Sequence, residues 1–198
     1  MIAAIVLAAG ASTRMGRQKL TLPMPDGRAL VRVAVEQVLA AGLDDVVVVL
    51  GRDADAVGAA LSALPVRTVL NSRYAEGQST SLRVGLDALR PGTEAVLVAL
   101  GDQPLPDPDV IRRLVSAFRA TGRPIIVPVY RNGRGNPVLF AAALFAELGA
   151  VTGDRGGRGV IAHDPARVAE VPVDAPMPTD VDTPTDYETV RRAPPPGA

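Results

Sequence analysis

The chain has 198 residues, 47% of them hydrophobic, and its 21 Lys plus Arg balance 21 Asp plus Glu, so the formal net charge is zero. That balance excludes a general attraction to nucleic acid or to a membrane surface, and leaves any anion to be bound by a local cluster. The lack of cysteine excludes disulfides and thiolate metal sites, and with no bilayer-length apolar run or secretory cleavage pattern a cytoplasmic protein is expected.

An apolar run predicts a first strand over residues 2–7, which leads straight into Ala8-Ala9-Gly10-Ala11-Ser12-Thr13-Arg14-Met15-Gly16-Arg17-Gln18-Lys19. Small residues let backbone N–H groups close on a phosphate, while Arg14 and Lys19 bring fixed positive charge to it. The P-loop does not fit, because five residues separate Gly10 from Gly16 and Arg17 follows. The dinucleotide fingerprint does not fit either, because its second glycine is missing. The loop therefore reads as a nucleoside triphosphate site, against the plainer alternative of a strand-to-helix turn that happens to be basic.

Further along, amphipathic spacing predicts helices over 30–41 and 54–64, with strands over 46–50 and 67–70. Tyr74-Ala75-Glu76-Gly77-Gln78-Ser79-Thr80-Ser81-Leu82 then opens a helix predicted over 80–89. Its three consecutive hydroxyls suit a nucleobase edge or an anion, or else supply an ordinary N-cap. Asn71 and Arg83 are further candidates beside it. A strand over 95–99 ends at Gly101-Asp102-Gln103-Pro104. In open α/β sheets ligands sit at the carboxyl ends of the strands, so Asp102 shares a rim with the first loop and suits Mg²⁺, although a Gly-Asp turn is also common.

Pro104, Pro106 and Pro108 break any helix there, and Asp107 can cap the helix predicted over 107–120. After a strand over 125–129, Asn132-Gly133 favours a hairpin turn, with an acceptor-side loop as the other reading of residues 131–135. Gly153-Asp154-Arg155-Gly156-Gly157-Arg158-Gly159 reads either as a flexible connection or as a loop whose Arg155 and Arg158 bind an acceptor phosphate. His163, the one histidine, lies in a predicted surface turn. Asp180 and Asp182 could complete a metal shell or cap a turn, whereas Asp186 resembles an acid in the first turn of a helix. Residues 193–198 form a Pro-rich tail expected to be disordered or extended.

Strands apolar on both faces, alternating with helices, predict an α/β fold with a mainly parallel sheet flanked by helices on both faces, in one domain over residues 1–192.

Several segments in order resemble the MobA-like nucleotidyltransferases, and within them the molybdenum cofactor cytidylyltransferases. They are Leu7-Ala8-Ala9-Gly10-Ala11-Ser12-Thr13-Arg14-Met15-Gly16 with Lys19, Gly77-Gln78-Ser79-Thr80-Ser81-Leu82, Gly101-Asp102-Gln103-Pro104, Gly135-Asn136-Pro137 and Asp180-Val181-Asp182-Thr183-Pro184. The resemblance implies a Rossmann-like nucleotidyltransferase fold and transfer of a nucleotidyl group from an NTP to a phosphorylated acceptor, with pyrophosphate leaving. It places Leu7, Ala8, Ala9, Gly10, Ala11, Ser12, Gly77, Ser79 and Ser81 around the nucleotide, and Asn71 joins them as a candidate from its place before this helix. Arg14 and Lys19 would neutralise the triphosphate, and Asp102 would bind Mg²⁺ with Asp180 and Asp182 near it. Gln103, Gly135, Asn136 and Pro137 fall on the acceptor side.

Ala9 and the Ser79-Thr80-Ser81-Leu82 segment tilt the implied base toward cytosine, with guanylyl and uridylyl transfer as alternatives. Asn136 stands where the cytidylyl subgroup is associated with histidine, and Gln103 where several members carry methionine, which loosens the identity of the acceptor. The implied partners are CTP, a molybdopterin-type acceptor, and a molybdoenzyme or its chaperone, with no nucleic acid and no membrane. Two unit charges ~4 Å apart repel by ~4 kcal/mol at an effective dielectric of ~20, so catalysis is expected to be positioning and charge neutralisation. A nicotinamide-dependent reductase on a related scaffold is the competing class, and the absent dinucleotide fingerprint speaks against it.

Overall fold

The computed structural model describes residues 1–12, 15–104 and 107–192, without the side chain of Arg155. Arg14, Pro106 and the 193–198 tail lie outside the described residues.

Uninterrupted apolar runs form the centre of the sheet. Strands β1 (Ile2–Ala8), β2 (Asp45–Leu50) and β4 (Ala95–Leu100) have almost no exposed residue, as expected where both faces are covered. β1 pairs in parallel with β2 on one side and with β4 on the other, and β3 (Arg67–Leu70) adds in parallel to β2. The half-exposed alternation of β3 marks it as the edge.

Side chains alternate across this sheet. Ala4, Val6 and Ala8 join a core layer with residues of α1 (Leu30–Ala40), α4 (Pro108–Thr121) and α7 (Pro184–Arg192). Ile5 and Val49 face a second layer with Leu82 of α3 (Gln78–Asp87), Leu148 of α5 (Phe145–Ala150) and Val160 of α6 (Arg158–His163). Helix α2 (Ala54–Ala60) contributes Val57 to the first layer. Helices therefore cover both faces, as the apolar pattern predicted.

The carboxyl-terminal half departs from the expected order. Short β7 (Val138–Ala141) inserts between β4 and β5 (Ile125–Tyr130), antiparallel to both. β5 also carries β6 (Gly133–Arg134) as a tight antiparallel hairpin and β8 (Val168–Pro172) in parallel. The sheet is thus mixed, though still mainly parallel, with β3-β2-β1-β4-β7-β5-β6 as its order. Asn132-Gly133 does make the hairpin, with Gly133 at φ 119°.

Predicted and observed helices agree closely where capping chemistry is explicit. Asp107 accepts a hydrogen bond from Asp109 N–H at 2.8 Å, Pro108 opens α4, and Gly122 in the left-handed region ends it. At α7, Thr183 and Asp186 form a reciprocal cap. The Asp186 carboxylate accepts from Thr183 N–H at 2.7 Å, and the Thr183 hydroxyl accepts from Asp186 N–H at 3.2 Å. The expected helix at 80–89 begins two residues earlier, because its cap comes from elsewhere in the chain, as described next.

Candidate active site

Parallel register brings the ends of β1, β2 and β4 level, with Ala8 beside Leu50 and Leu7 beside Leu100. The loops leaving these strands open on a cavity of about 380 Å³ lined by Leu7, Ala9, Gly10, Ala11, Lys19, Gly77, Gln78, Ser81, Asp102 and Asp154 among others. A contiguous cavity of about 320 Å³ adds Ser12 and Asp182 to Gly10, Ala11, Lys19, Gln78 and Asp154. Small residues are needed where the loop turns. A Cβ on Gly51 would stand 2.6 Å from the Ala9 Cβ and carbonyl oxygen, closer than van der Waals contact permits.

The loop is braced by Gln18. Its Oε1 accepts from the Ser12 hydroxyl at 3.0 Å, and its Nε2 donates to the Arg52 carbonyl at 3.1 Å and to Asp53 at 3.2 Å. The Ser12 hydroxyl in turn accepts from Lys19 N–H at 3.3 Å, and Arg52 donates to the Ala11 carbonyl at 2.7 Å. These bonds fix the direction in which the Lys19 side chain leaves the backbone.

Lys19 is the electrostatic centre. Its ammonium donates to Asp102 Oδ2 at 2.6 Å and to Asp182 Oδ1 at 2.8 Å, with its side chain only 8% exposed. Burial works against the charge, but the Asp102 and Asp182 carboxylates outweigh it and raise the Lys19 pKa above its ordinary value of 10.5. The late acidic segment reaches this point because Val181 N–H donates to the Asp102 carbonyl at 3.0 Å. The Thr183/Asp186 cap then holds the backbone of Asp182, whose N–H reaches Asp186 at 3.2 Å.

Hard carboxylate oxygens on Asp102 and Asp182 fit Mg²⁺, which takes one or two carboxylates and completes its shell with phosphate oxygens and water. Among the described residues no group of three or more His, Cys, Asp or Glu side chains is poised to hold a metal ion. Asp180 lies differently: it lines a second cavity of about 360 Å³, together with Gln103, Arg134, Gly135, Asn136, Arg158 and apolar residues. Its Oδ1 is buried without a hydrogen-bond partner. Burial, reinforced by the nearby Asp102 charge, pushes the Asp180 pKa above its ordinary value.

Several expected site residues lie away from the cavities. Ala8 lines neither; it sits on the opposite face of β1, where it packs into the first core layer. Ser79 is buried and Pro137 is buried, and neither is a lining residue. Asn71 is 2% exposed and donates to the hydroxyls of Thr80 and Ser81 at 2.9 Å each, so it positions the start of α3 from behind. Arg83 is a clamp on the Gly149 and Val151 carbonyls. His163 is exposed at the end of α6.

Sequence reasoning singled out neither Gln78 nor Asp154 as an individual residue. The α3 cap is neither Ser79 nor Thr80: Asp154 Oδ1 accepts from Gln78 N–H at 3.1 Å. The only signal was the run of glycines around Asp154, and the contact bridges 76 residues.

Residues 4–171 match the MobA-like NTP transferase domain. The chain belongs to that family. It is 36% identical over 172 residues to nicotine blue oxidoreductase of Paenarthrobacter nicotinovorans, covering 83% of each chain. In structure it resembles Rv0371c from Mycobacterium tuberculosis H37Rv, at TM-score 0.88 and 34% identity over 97% of this chain and 98% of that one. Rv0371c has also been crystallised as a manganese complex, which matches at TM-score 0.86, with 32% identity over 98% of this chain and 99% of that one. A nucleotidyl transferase from Methanothermobacter matches at TM-score 0.77 and 27% identity over 96% of both chains. The chain thus carries the nucleotidyltransferase domain of the MobA-like family. No helix among the described residues is long and apolar enough to cross a membrane.

Proposed function

We propose that this protein transfers a nucleotidyl group from a nucleoside triphosphate, with CTP favoured, to a phosphorylated acceptor of molybdopterin type, releasing pyrophosphate. The observation that carries this reading is the convergence of Lys19, Asp102 and Asp182 on a cavity floored by the Gly10–Ala11 loop, next to a second cavity. The two cavities meet at a narrower cleft. Leu7, Gln78 and Leu100 of the first and Asn136, Val138, Arg158 and Ile161 of the second all line it.

In this mechanism the exposed backbone of Gly10 and Ala11 receives the triphosphate, and Lys19 supplies positive charge beside it, with Arg14 as a second cation from the same loop. Asp102 and Asp182 would hold Mg²⁺, which when bound offsets the negative charge of the phosphates. An acceptor phosphate is already ionised near neutral pH, so no protein base is needed to deprotonate it. The cleft lets the acceptor oxygen approach the α-phosphorus while pyrophosphate is retained on the Lys19 side. Positioning and charge neutralisation then supply the acceleration.

The test is pyrophosphate release with each NTP, Mg²⁺ and molybdenum cofactor. CTP should give the fastest turnover, and Asp102→Asn should abolish it while leaving CTP binding measurable. Preference for GTP or UTP, or for a sugar or alcohol phosphate, would redirect the substrate within the same reaction class. Likeness to a protein named an oxidoreductase favours a second reading, reduction with a nicotinamide cofactor. Titration with NADPH separates the two: tight NADPH binding with no pyrophosphate release from any NTP would replace nucleotidyl transfer.

A further inference from the structure

The glycine-rich segment at 153–159 stands between the two cavities. Its Asp154 end faces the nucleotide cavity and caps α3 through Gln78 N–H. Its Arg158 end lines both the second cavity and the connecting cleft. The glycines fix this placement. A Cβ on Gly157 would come within 2.7 Å of the Phe140 ring, and one on Gly156, at φ 50°, would strike the Gln78 side-chain oxygen. The segment is pressed against β7 and α3 and delivers Arg158 to one place.

Most arginines near this region are already committed. Arg134 shares the second cavity but pairs with Glu170 at 2.6 Å, Arg131 pairs with Asp174, and Arg167 pairs with Glu147. Arg158 has no ion-pair or hydrogen-bond partner among the described residues. The walls around it are apolar, with Val127, Val138, Ile161 and Met177, and the amides of Gln103 and Asn136 supply the neutral polar groups. Asp180 also lines this cavity, and Arg158 is the guanidinium in it that no carboxylate among the described residues pairs; apolar walls with such a guanidinium suit a ligand with an apolar body and one anionic group, because the planar fork matches phosphate oxygens.

We propose that Arg158 is the anchor for the acceptor's phosphate, and that the 153–159 segment is the partition that holds this phosphate at the cleft facing the nucleotide cavity. The assignment rests on the nucleotidyl-transfer reading for the word acceptor, but the anion site stands on its own geometry. Position explains the arrangement: Arg158 lies at the junction of the cavities, where the attacking phosphate must sit, whereas Arg134 is held by β6 and Glu170.

Phenyl phosphate, which carries an apolar ring and one phosphate, is the probe. It is titrated calorimetrically into the wild-type protein, Arg158→Ala and Arg158→Lys, each with Mg²⁺ and a non-hydrolysable α,β-methylene analogue of CTP present to fill the first cavity. Loss of charge-assisted hydrogen bonds to an anion should weaken phenyl phosphate binding about tenfold or more in Arg158→Ala. Arg158→Lys should recover part of it, and affinity for the CTP analogue should be unchanged in both variants, which also reports that they are folded. Equal phenyl phosphate affinity in wild type and Arg158→Ala, or no binding by the wild type, would overturn the proposal. Wild-type protein that binds phenyl phosphate through Arg158 but binds no nucleotide would support the anion site and instead sink the nucleotidyl-transfer reading.

Discussion

Replacing Lys19 with Met removes the charge while keeping the length of the side chain, and so isolates the interaction on which the site is built. The wild-type ammonium bonds two carboxylates at 2.6 and 2.8 Å, and those carboxylates are 24% and 30% exposed. Breaking a buried pair costs ~3–5 kcal/mol, and an exposed one ~0–1 kcal/mol. With a buried cation and partly exposed anions, the expected loss is ~2–3 kcal/mol, or a fall in Tm of roughly 5–10 °C for a chain of this size. The variant leaves Asp102 and Asp182 without their shared cation, so Mg²⁺ should restore part of that stability, by an amount that grows with metal concentration. Urea denaturation of both proteins across a Mg²⁺ series measures each quantity. The Lys19 pKa is raised, so its contribution is complete below pH 10.5 and fades as pH climbs through the folded value. On the alkaline side, the difference between the two proteins should therefore narrow only as Lys19 itself loses its proton. A stability change within about 0.5 kcal/mol, the range of an ordinary surface substitution, would refute the idea that Lys19 holds the two carboxylates together.

Gly51→Ala places a Cβ against the Ala9 backbone, so denaturant midpoints should report a loss of ~1–3 kcal/mol, and equilibrium dialysis should show weaker CTP binding. Thr183→Ala removes one half of the α7 cap at a cost of ~1 kcal/mol, and isothermal titration should find lower Mg²⁺ affinity because Asp182 loses its fixed backbone. At the opposite end of the sheet, hydrogen bonding from Arg67 holds the Asp45 carboxyl below its ordinary pKa of 3.8. That stabilisation is present above pH 3.8 and is lost as pH falls through the folded value. Arg67→Ala should accordingly lower stability at neutral pH and match wild type in strong acid, with turnover unaffected at pH 7.

Five of the strands and four of the helices were legible because each is an apolar or amphipathic run bounded by turn residues. β7 and β8 were not. β8 ends in proline, and neither alternates cleanly enough to separate from a loop. Within the site, Lys19 and Asp102 could be placed on one rim from strand order alone. Asp182 could not, because the Val181 to Asp102 contact joins residues that nothing local connects. The side-chain direction of Ala8 follows from strand alternation: along β1 it turns into the core and away from the cavity that Leu7 and Ala9 line. Asp154 illustrates a third kind of miss, since a cap borrowed from a distant segment leaves no trace at the helix it serves.

The reversed strand β7 has an implication for how such enzymes diversify. It divides the sheet into an amino-terminal part that carries the phosphate loop and a carboxyl-terminal part that builds the neighbouring chamber. The chamber's walls come from hairpin, short helix and strand ends contributed after residue 100. Substitutions in those walls therefore leave the Gly10–Ala11 loop and Lys19 in place.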